Sequence, residues 1–366
     1  MAEALAGMPL AEARAQGIDQ VYAIFFAGAM LLALGTAIFK PGVQGLIGNQ
    51  MPAKSASLGW AVFYQMVNIG GFLGPLIAGY LRVLDWNYVF LACSVAIALN
   101  FLPLLAFREP EREARDDDGD GPIVLLYRAI HGLLEPRLFF FTIAFAGFWL
   151  MFYQLFDILP NFIDDWVDSR GLASALAGIF GEAAVPTING GNLTQEWMIN
   201  FNAFLISIFA FAVGYVTGKV RSLDAIVIGI GISAVAIYML GFSMIGWWTL
   251  AAIGLFSLGE MAASPTKMRY LSGIAPPGKQ GQYMGYVNFT VGIGWSIGSV
   301  VAGELYQKGG DKIVLARRYL EDQIGMAAEK VAAIDRGDVL EVLYEKASVD
   351  PFEARLPPEC YERGRI

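Results

Sequence analysis

The stretch LGTAIFKP at residues 34–41 recurs as LGEMAASP at residues 258–265, an offset of 224 positions. The same offset aligns residues 31–81 with residues 255–305 without a gap, and 12 of the 51 aligned positions are identical. Six of these identities are glycine or proline, residue types that constrain or release the backbone more than others do. The sequence therefore predicts a duplicated pair of helices.

Eight hydrophobic runs are long enough to cross the roughly 30 Å of hydrocarbon in a bilayer. The first two runs recur as the seventh and eighth, so the repeating unit contains six helices, and two such units need twelve. We therefore expect an all-α membrane protein, a bundle of twelve helices of which helices four to eleven are present. On this interpretation three helices are missing before Met1 and one after Ile366. The runs lie near residues 21–50, 58–80, 86–107, 137–159, 196–218, 223–243, 247–272 and 282–305.

Composition agrees with a membrane protein, because 56% of the residues are hydrophobic, 16% are charged and the mean hydropathy is +0.52. One histidine and two cysteines are too few for a histidine-based metal cluster, a Ser-His triad or a disulfide framework. We therefore expect no enzyme activity, no metal, no cofactor other than a proton gradient and no nucleic-acid partner.

Cationic residues are concentrated in alternate connections between the runs. The connections after the first, third, fifth and seventh runs hold 12 Lys and Arg residues, including Lys267, whereas the others hold 2. The positive-inside rule then places the first group in the cytoplasm and both ends of the chain outside.

The most charged connection contains the acidic run Asp116–Asp118 and predicts a link between two halves of the molecule. Residues 1–107 are interpreted as the remainder of an N-terminal six-helix half, with helices four to six. Residues 108–136 form a cytoplasmic linker with an amphipathic helix, and residues 137–305 form a C-terminal half with helices seven to eleven. Residues 306–366 are predicted to be a polar, helical outer tail before a missing last helix.

Two charged residues fall inside hydrophobic runs, where each costs about 2.5–3.5 kcal/mol on insertion scales. Lys40 immediately precedes Pro41, and Glu260 lies five residues before Pro265. The repeat pairs Glu260 with Thr36, so Lys40 lies one turn, or about 6 Å, from the level of Glu260. This predicts a coupled pair across a central cavity. The alternatives are that Lys40 extends its ammonium to the interface and that Glu260 has a buried hydrogen-bond partner.

Other polar residues in the runs are Asn68, Asn200, Asn202 and Asp157. Each asparagine either binds a ligand or fastens two helices together. Asp157 ends the fourth run, where it has a functional role or lies at the outer interface.

Four stretches resemble the proton-dependent oligopeptide transporter family, which lies within the major facilitator superfamily. LGTAIFKP resembles its helix four, and FYQMVNIGGF at residues 63–72 resembles its helix-five signature, with departures at Gln65 and Trp60. GEMAASPT at residues 259–266 is similar to its helix-ten motif, and Trp197 followed by Asn202 is similar to its helix-eight pattern. The resemblance covers roughly residues 21–305 and implies a bundle of the major facilitator type, with eight transmembrane helices present, helices four to eleven of twelve.

The resemblance implies a role for each matching residue. Lys40 takes part in proton coupling, and Glu260, Asn68 and Asn202 line a site for di- and tripeptides. Tyr64 and Tyr153 complete the predicted substrate-binding residues, and Glu260 is also assigned to proton coupling. Tyr153 stands where that family usually has an acidic proton-handling residue, so coupling is altered, moved to Asp157, or lost.

The predicted function is therefore a secondary active transporter, a proton-coupled symporter of di- and tripeptides that works by alternating access. It would be a multi-pass protein of the cell membrane (inner or plasma), with the lipid bilayer, protons and small peptides as partners. One alternative keeps the fold but carries another small organic solute or drug-like compound. Another is a membrane anchor or assembly protein without transport, in which the charged tail at residues 311–366 is the functional part.

Overall fold

Helices make up nearly all of the computed structural model, which describes residues 18–107, 121–188 and 190–348. The described residues do not include the acidic run Asp116–Asp118, Cys360 or the two ends of the chain, so the predictions for these parts are not addressed. The longer helices are α1 (Ile18–Gln50), α2 (Ala56–Leu84), α3 (Trp86–Leu99), α4 (Phe101–Ala106), α5 (Pro122–Gly132), α6 (Pro136–Asp157), α7 (Leu159–Trp166), α8 (Arg170–Phe180), α9 (Gln195–Thr217), α10 (Ser222–Leu240), α11 (Gly246–Ile274) and α12 (Gln280–Gly309).

The eight predicted runs all coincide with helices: α1, α2, the pair α3 and α4, α6, α9, α10, α11 and α12. The third run is divided at Asn100, whose side-chain amide donates to the carbonyl of Ile97 at 3.1 Å. Among the described residues, four helices, α1, α6, α9 and α10, are both long enough and apolar enough to span a bilayer. The structure thus contains several membrane-spanning candidates, and the number eight stays a prediction.

Packing between the two copies of the repeated helix pair follows a twofold pattern. Helix α1 packs on α12, and α2 packs on α11; the repeat exchanges these two contacts, because it relates α1 to α11 and α2 to α12. Gln44 and Met268 are counterparts in the repeat, and the amide of Gln44 donates to the sulfur of Met268 at 3.8 Å. Counterparts that touch each other lie on the axis that relates the two copies, which supports the predicted duplication.

Two of the repeated glycines allow α12 to approach α6 closely. A Cβ atom added to Gly298 would lie 3.2 Å from the carbonyl oxygen of Leu150, and one added to Gly294 would lie 2.7 Å from the Cβ of Trp149. Their counterparts Gly70 and Gly74 face open space among the described residues. Close helix packing therefore explains one copy of the glycine pattern directly.

A structured segment between α6 and α9 covers the predicted outer end of the bundle. It contains α7, α8 and an antiparallel strand pair, β1 (Thr187–Ile188) and β2 (Asn192–Leu193). The expectation of an all-α protein is wrong for this short pair. The segment is held in place by Asp168, whose N–H donates to the carbonyl of Met244 and whose carbonyl accepts from Gly246, both at 2.7 Å.

The polar tail forms a small helical unit with a core of its own. It comprises α13 (Lys312–Asp322), α14 (Ala328–Ala332) and α15 (Val339–Ala347). Lys312 attaches the tail to α7, because its ammonium donates to the carbonyl of Asp165 and lies 4.8 Å from the ring centroid of Trp166. The indole N–H of Trp166 donates to the carbonyl of Gly310 at 2.8 Å. The core consists of Ala316, Leu320, Val331, Val339 and Leu343.

Candidate functional site

Glu260, on α11, is the centre of a buried polar cluster. Only 1% of the residue is exposed. Its Oε1 accepts a hydrogen bond from the hydroxyl of Tyr64 on α2, and its Oε2 accepts from the amide of Asn202 on α9 at 2.9 Å. The second hydrogen of that amide is donated to the hydroxyl of Ser257 at 3.0 Å. One carboxylate therefore joins three helices, one from the first repeat copy and two from the second half.

Small residues on the neighbouring face of α11 fix the position of Glu260. A Cβ atom on Gly259 would lie 2.6 Å from the carbonyl of Gly229 on α10, so the two backbones touch. Pro265 has no N–H, so the carbonyl of Met261 lacks its helical donor and α11 is weakened just beyond the carboxylate. Glu260 thus lies on a tightly packed segment next to a point of flexibility.

Lys267 is a buried lysine, although the sequence predicts that it belongs to a cytoplasmic connection. Only 2% of the residue is exposed. Its ammonium lies 3.7 Å from the ring centroid of Trp149 and 5.5 Å from that of Phe145. It follows Glu260 by seven residues, two helical turns, and so shares a face with it about 10 Å along the axis. Its charge acts on Glu260, and the seven-residue spacing was the signal that could have revealed it.

Lys40 and Glu260 make no direct ion pair, since the carboxylate of Glu260 accepts from Tyr64 and Asn202 instead; their predicted coupling across a central cavity stays a prediction. Lys40 is exposed on α1, and its charge acts on Lys267. The contact of Gln44 with Met268 keeps α1 and α11 at the relative level that the repeat predicts. At that register Lys40 is level with Ser264, about 4.5 Å in depth from Lys267 and about 6 Å from Glu260. Lys40 is therefore slightly closer in depth to Lys267 than to Glu260.

Tyr153 and Asp157 lie at the contact between α6 and α12. The ring of Tyr153 stacks on Trp295 with centroids 4.3 Å apart and an interplanar angle of 8°. Asp157 accepts hydrogen bonds from the Ser299 hydroxyl at 2.7 Å and the Trp295 indole at 3.1 Å. Tyr153 is within electrostatic range of both Asp157 and Glu260.

Asn68 is half-buried, and its amide donates to the carbonyl of Tyr64 at 2.9 Å, within its own helix. The structure thus brings Tyr64, Asn202 and Glu260 into direct contact, and it places Asn68 and Tyr153 at the border of that cluster. Their functional roles stay predictions.

A second group of acids lies outside the spans, where α7 meets the start of α9. Burial, followed by the negative charges of Glu196 and Asp165, raises the pKa of Asp164 to about 6, although the backbone N–H of Gln195 acts in the opposite direction. Burial also raises the pKa of Asp165, against the effects of the Tyr306 hydroxyl and Lys312. These carboxyl groups lie next to the contact between α7 and the tail.

Comparison with known proteins gives both a family and several distant relatives. The sequence profile of the Major Facilitator Superfamily matches residues 3–194 and 171–315. Multidrug resistance protein MdtH of Edwardsiella ictaluri is 22% identical over 291 residues, covering 78% of this chain and 65% of that relative. YclF of Bacillus subtilis, described as an uncharacterized transporter, is 23% identical over 334 residues, covering 76% of this chain and 68% of that relative.

A third relative matches a shorter region. The peptide transporter YePEPT of Yersinia enterocolitica is 28% identical over 96 residues, covering 25% of this chain and 19% of that relative. The chain spans about two thirds of the length of MdtH and YclF, at 65% and 68%. The profile covers most of the chain. Because the chain also contains several long apolar helices, it is a multi-pass membrane protein. The chain belongs to the Major Facilitator Superfamily.

Proposed function

We propose that this chain is part of a secondary active transporter that moves small peptides by alternating access, with protons as the driving ion. The observation that carries the proposal is the buried carboxylate of Glu260. It accepts hydrogen bonds from Tyr64 in the first repeat copy and from Asn202 in the second half. A single ionisable group therefore connects the parts of the molecule that alternating access must separate.

Protonation would act on this connection directly. A carboxylate accepts strong charge-assisted hydrogen bonds, whereas a protonated carboxyl group accepts weaker ones. A proton on Glu260 would therefore loosen Tyr64 and Asn202 together, and with them the contact between α2 and α11. Lys40 acts in this scheme through Lys267, and Asp157 is the proposed proton-handling group at the outer end.

The contacts near the axis serve as a gate in this proposal. Gln44 donates to Met268, and the amide of Asn288 donates to Gln44 Oε1 at 2.8 Å. Both contacts lie beyond Glu260 toward the connections that follow α1 and α11, the side that the charge distribution predicts to be cytoplasmic. Solute release on that side requires the contacts to separate.

Small peptides fit the chemistry of the cluster, because Glu260 offers an anionic partner to a peptide ammonium group and Asn68 and Tyr153 offer polar partners nearby. The similarity to YePEPT over 96 residues is consistent with this cargo. A planar, drug-like solute is the second candidate. The flat stack of Tyr153 on Trp295 presents an aromatic surface to such a molecule, and MdtH is named as a multidrug resistance protein.

Transport in proteoliposomes tests these alternatives. The full-length protein should accumulate a labelled dipeptide against its gradient when an inward proton gradient is imposed, and a planar solute that competes for uptake would favour the second candidate. Removal of residues 311–366 should leave much of the uptake intact, whereas an assembly protein would lose its activity with the tail.

The variant E260Q should abolish proton-driven accumulation. E304Q is the matched control, because Glu304 is exposed and pairs with Lys308 at 2.8 Å. Accumulation by E260Q with an unchanged pH dependence would contradict the proposal.

A further inference from the structure

Lys267 is buried without a partner of opposite charge in direct contact. Neither a hydrogen bond nor an ion pair of its ammonium is found among the described residues, and its neighbours are the ring faces of Trp149 and Phe145. Cation–π contacts offset only part of the cost of burying an ammonium group. The three N–H donors of Lys267 therefore have no acceptor among the described residues and can bind one that a ligand supplies.

A second positive charge increases the demand for an anion. Lys40 on α1 acts electrostatically on Lys267, and the two residues come from different copies of the repeat. With the gate contact of Gln44 and Met268 made, these like charges repel each other unless a negative group lies near them. Lys267 thus lies where an anion would stabilise the closed conformation.

We propose that Lys267 is the residue that binds the carboxylate of the transported solute, with Trp149 and Phe145 as the wall that excludes water. This inference rests on the proposed function and narrows its substrate class to solutes that carry a carboxylate. Glu260 lies about 10 Å along the same face of α11 and receives the cationic end. A short peptide carries an ammonium group at one end and a carboxylate at the other, so its two ends match the two residues.

Ligand binding to the detergent-solubilised full-length protein tests this inference without requiring transport. The probes are trialanine with a free carboxylate and trialanine amide, and the readout is the dissociation constant from titration calorimetry. The wild type and K267R should bind the free acid at least about tenfold more tightly than the amide, because a charge-assisted hydrogen bond to a buried group is lost in the amide. K267M should bind both probes equally weakly.

K267M should also fold well, because it replaces a buried charge by an apolar side chain of similar length; its melting temperature should equal or exceed that of the wild type. K219M is the matched control, since Lys219 lies 4.1 Å from the Tyr215 ring but is exposed; it should retain the preference for the free acid. Equal affinity of the wild type for both probes, or a preserved preference in K267M, would overturn the inference. Normal discrimination by a protein that moves no peptide in proteoliposomes would overturn the proposed function and leave the anion site standing.

Discussion

The hydroxyl of Tyr64 on α2 donates a hydrogen bond to Oε1 of Glu260 on α11, so the two copies of the repeat meet at a buried carboxylate. Removing the hydroxyl in Y64F leaves that oxygen without this donor. A hydrogen bond to a charged group contributes about 1.5–3 kcal/mol, so the free energy of unfolding should fall by a similar amount. Thermal unfolding in detergent measures the loss. Y344F, on an exposed tyrosine of the tail, should unfold like the wild type, and an unchanged Y64F would show that the bond adds no stability.

Cross-linking of positions 44 and 268 should hold the gate closed. The side chains of Gln44 and Met268 touch at 3.8 Å, so a Q44C/M268C pair is within reach of a short bifunctional thiol reagent. In a background with Cys93 and Cys360 replaced by serine, the link should stop most solute uptake, and reduction should restore it. The pair S169C/L193C, within the outer segment, serves as the control. Full uptake with the link intact would exclude a gate at this contact.

Substitution of the repeated glycines tests the proposed division of the chain. A Cβ atom on Gly298 would lie 3.0 Å from Gln154 Nε2, so G298V should destabilise the protein by about 1–3 kcal/mol through overpacking. Gly74 is its counterpart and faces open space among the described residues. If residues 1–107 are the remainder of a six-helix half, the counterpart of α6 covers Gly74 in the full-length protein. G74V should then cost as much as G298V in thermal unfolding, and a neutral G74V would contradict this division.

The raised pKa of Asp164 predicts that the free energy of unfolding falls as the pH rises. Asp164 has a pKa of about 6 in the folded protein, above the ordinary value of 3.8, so folding favours its protonated form. The penalty for ionising it is absent below about pH 4, increases between pH 4 and 6, and is complete above that window. D164N should therefore melt roughly 1–4 °C higher than the wild type at pH 7.5, and the two should converge at pH 4. E345Q on α15 is the control, and a D164N difference that does not vary with pH would refute the assignment.

Much of the helical framework was predictable from the sequence, because a hydrophobic run of twenty or more residues has few other ways to fold in a membrane. The repeated glycines and prolines also predicted which helices are related. The break at Asn100 and the strand pair β1 and β2 were not predicted. Both depend on local side-chain hydrogen bonds and tertiary contacts, which leave no periodic pattern in the sequence.

The candidate site was predicted in part. A charge inside an apolar run identified Glu260, and motif resemblance added Asn202 and Tyr64. Lys267 was not predicted as a site residue because it is close along the chain to a cytoplasmic connection. Its helical face, which it shares with Glu260, was the better guide. The depth of Lys40 relative to Glu260 was predictable, because the contact of Gln44 with Met268 keeps the register of the repeat. Whether the two side chains meet was not, because it depends on the tertiary packing around them.

The contact between Gln44 and Met268 has a consequence for the history of the fold. In a dimer of two identical half-molecules, a residue on the symmetry axis meets its own copy, so every substitution changes both sides at once. Duplication and fusion into one chain let positions 44 and 268 diverge separately, and the axis now joins an amide to a thioether. The two sides of the axis therefore carry different chemical groups at the centre of the molecule, which is not possible in a homodimer.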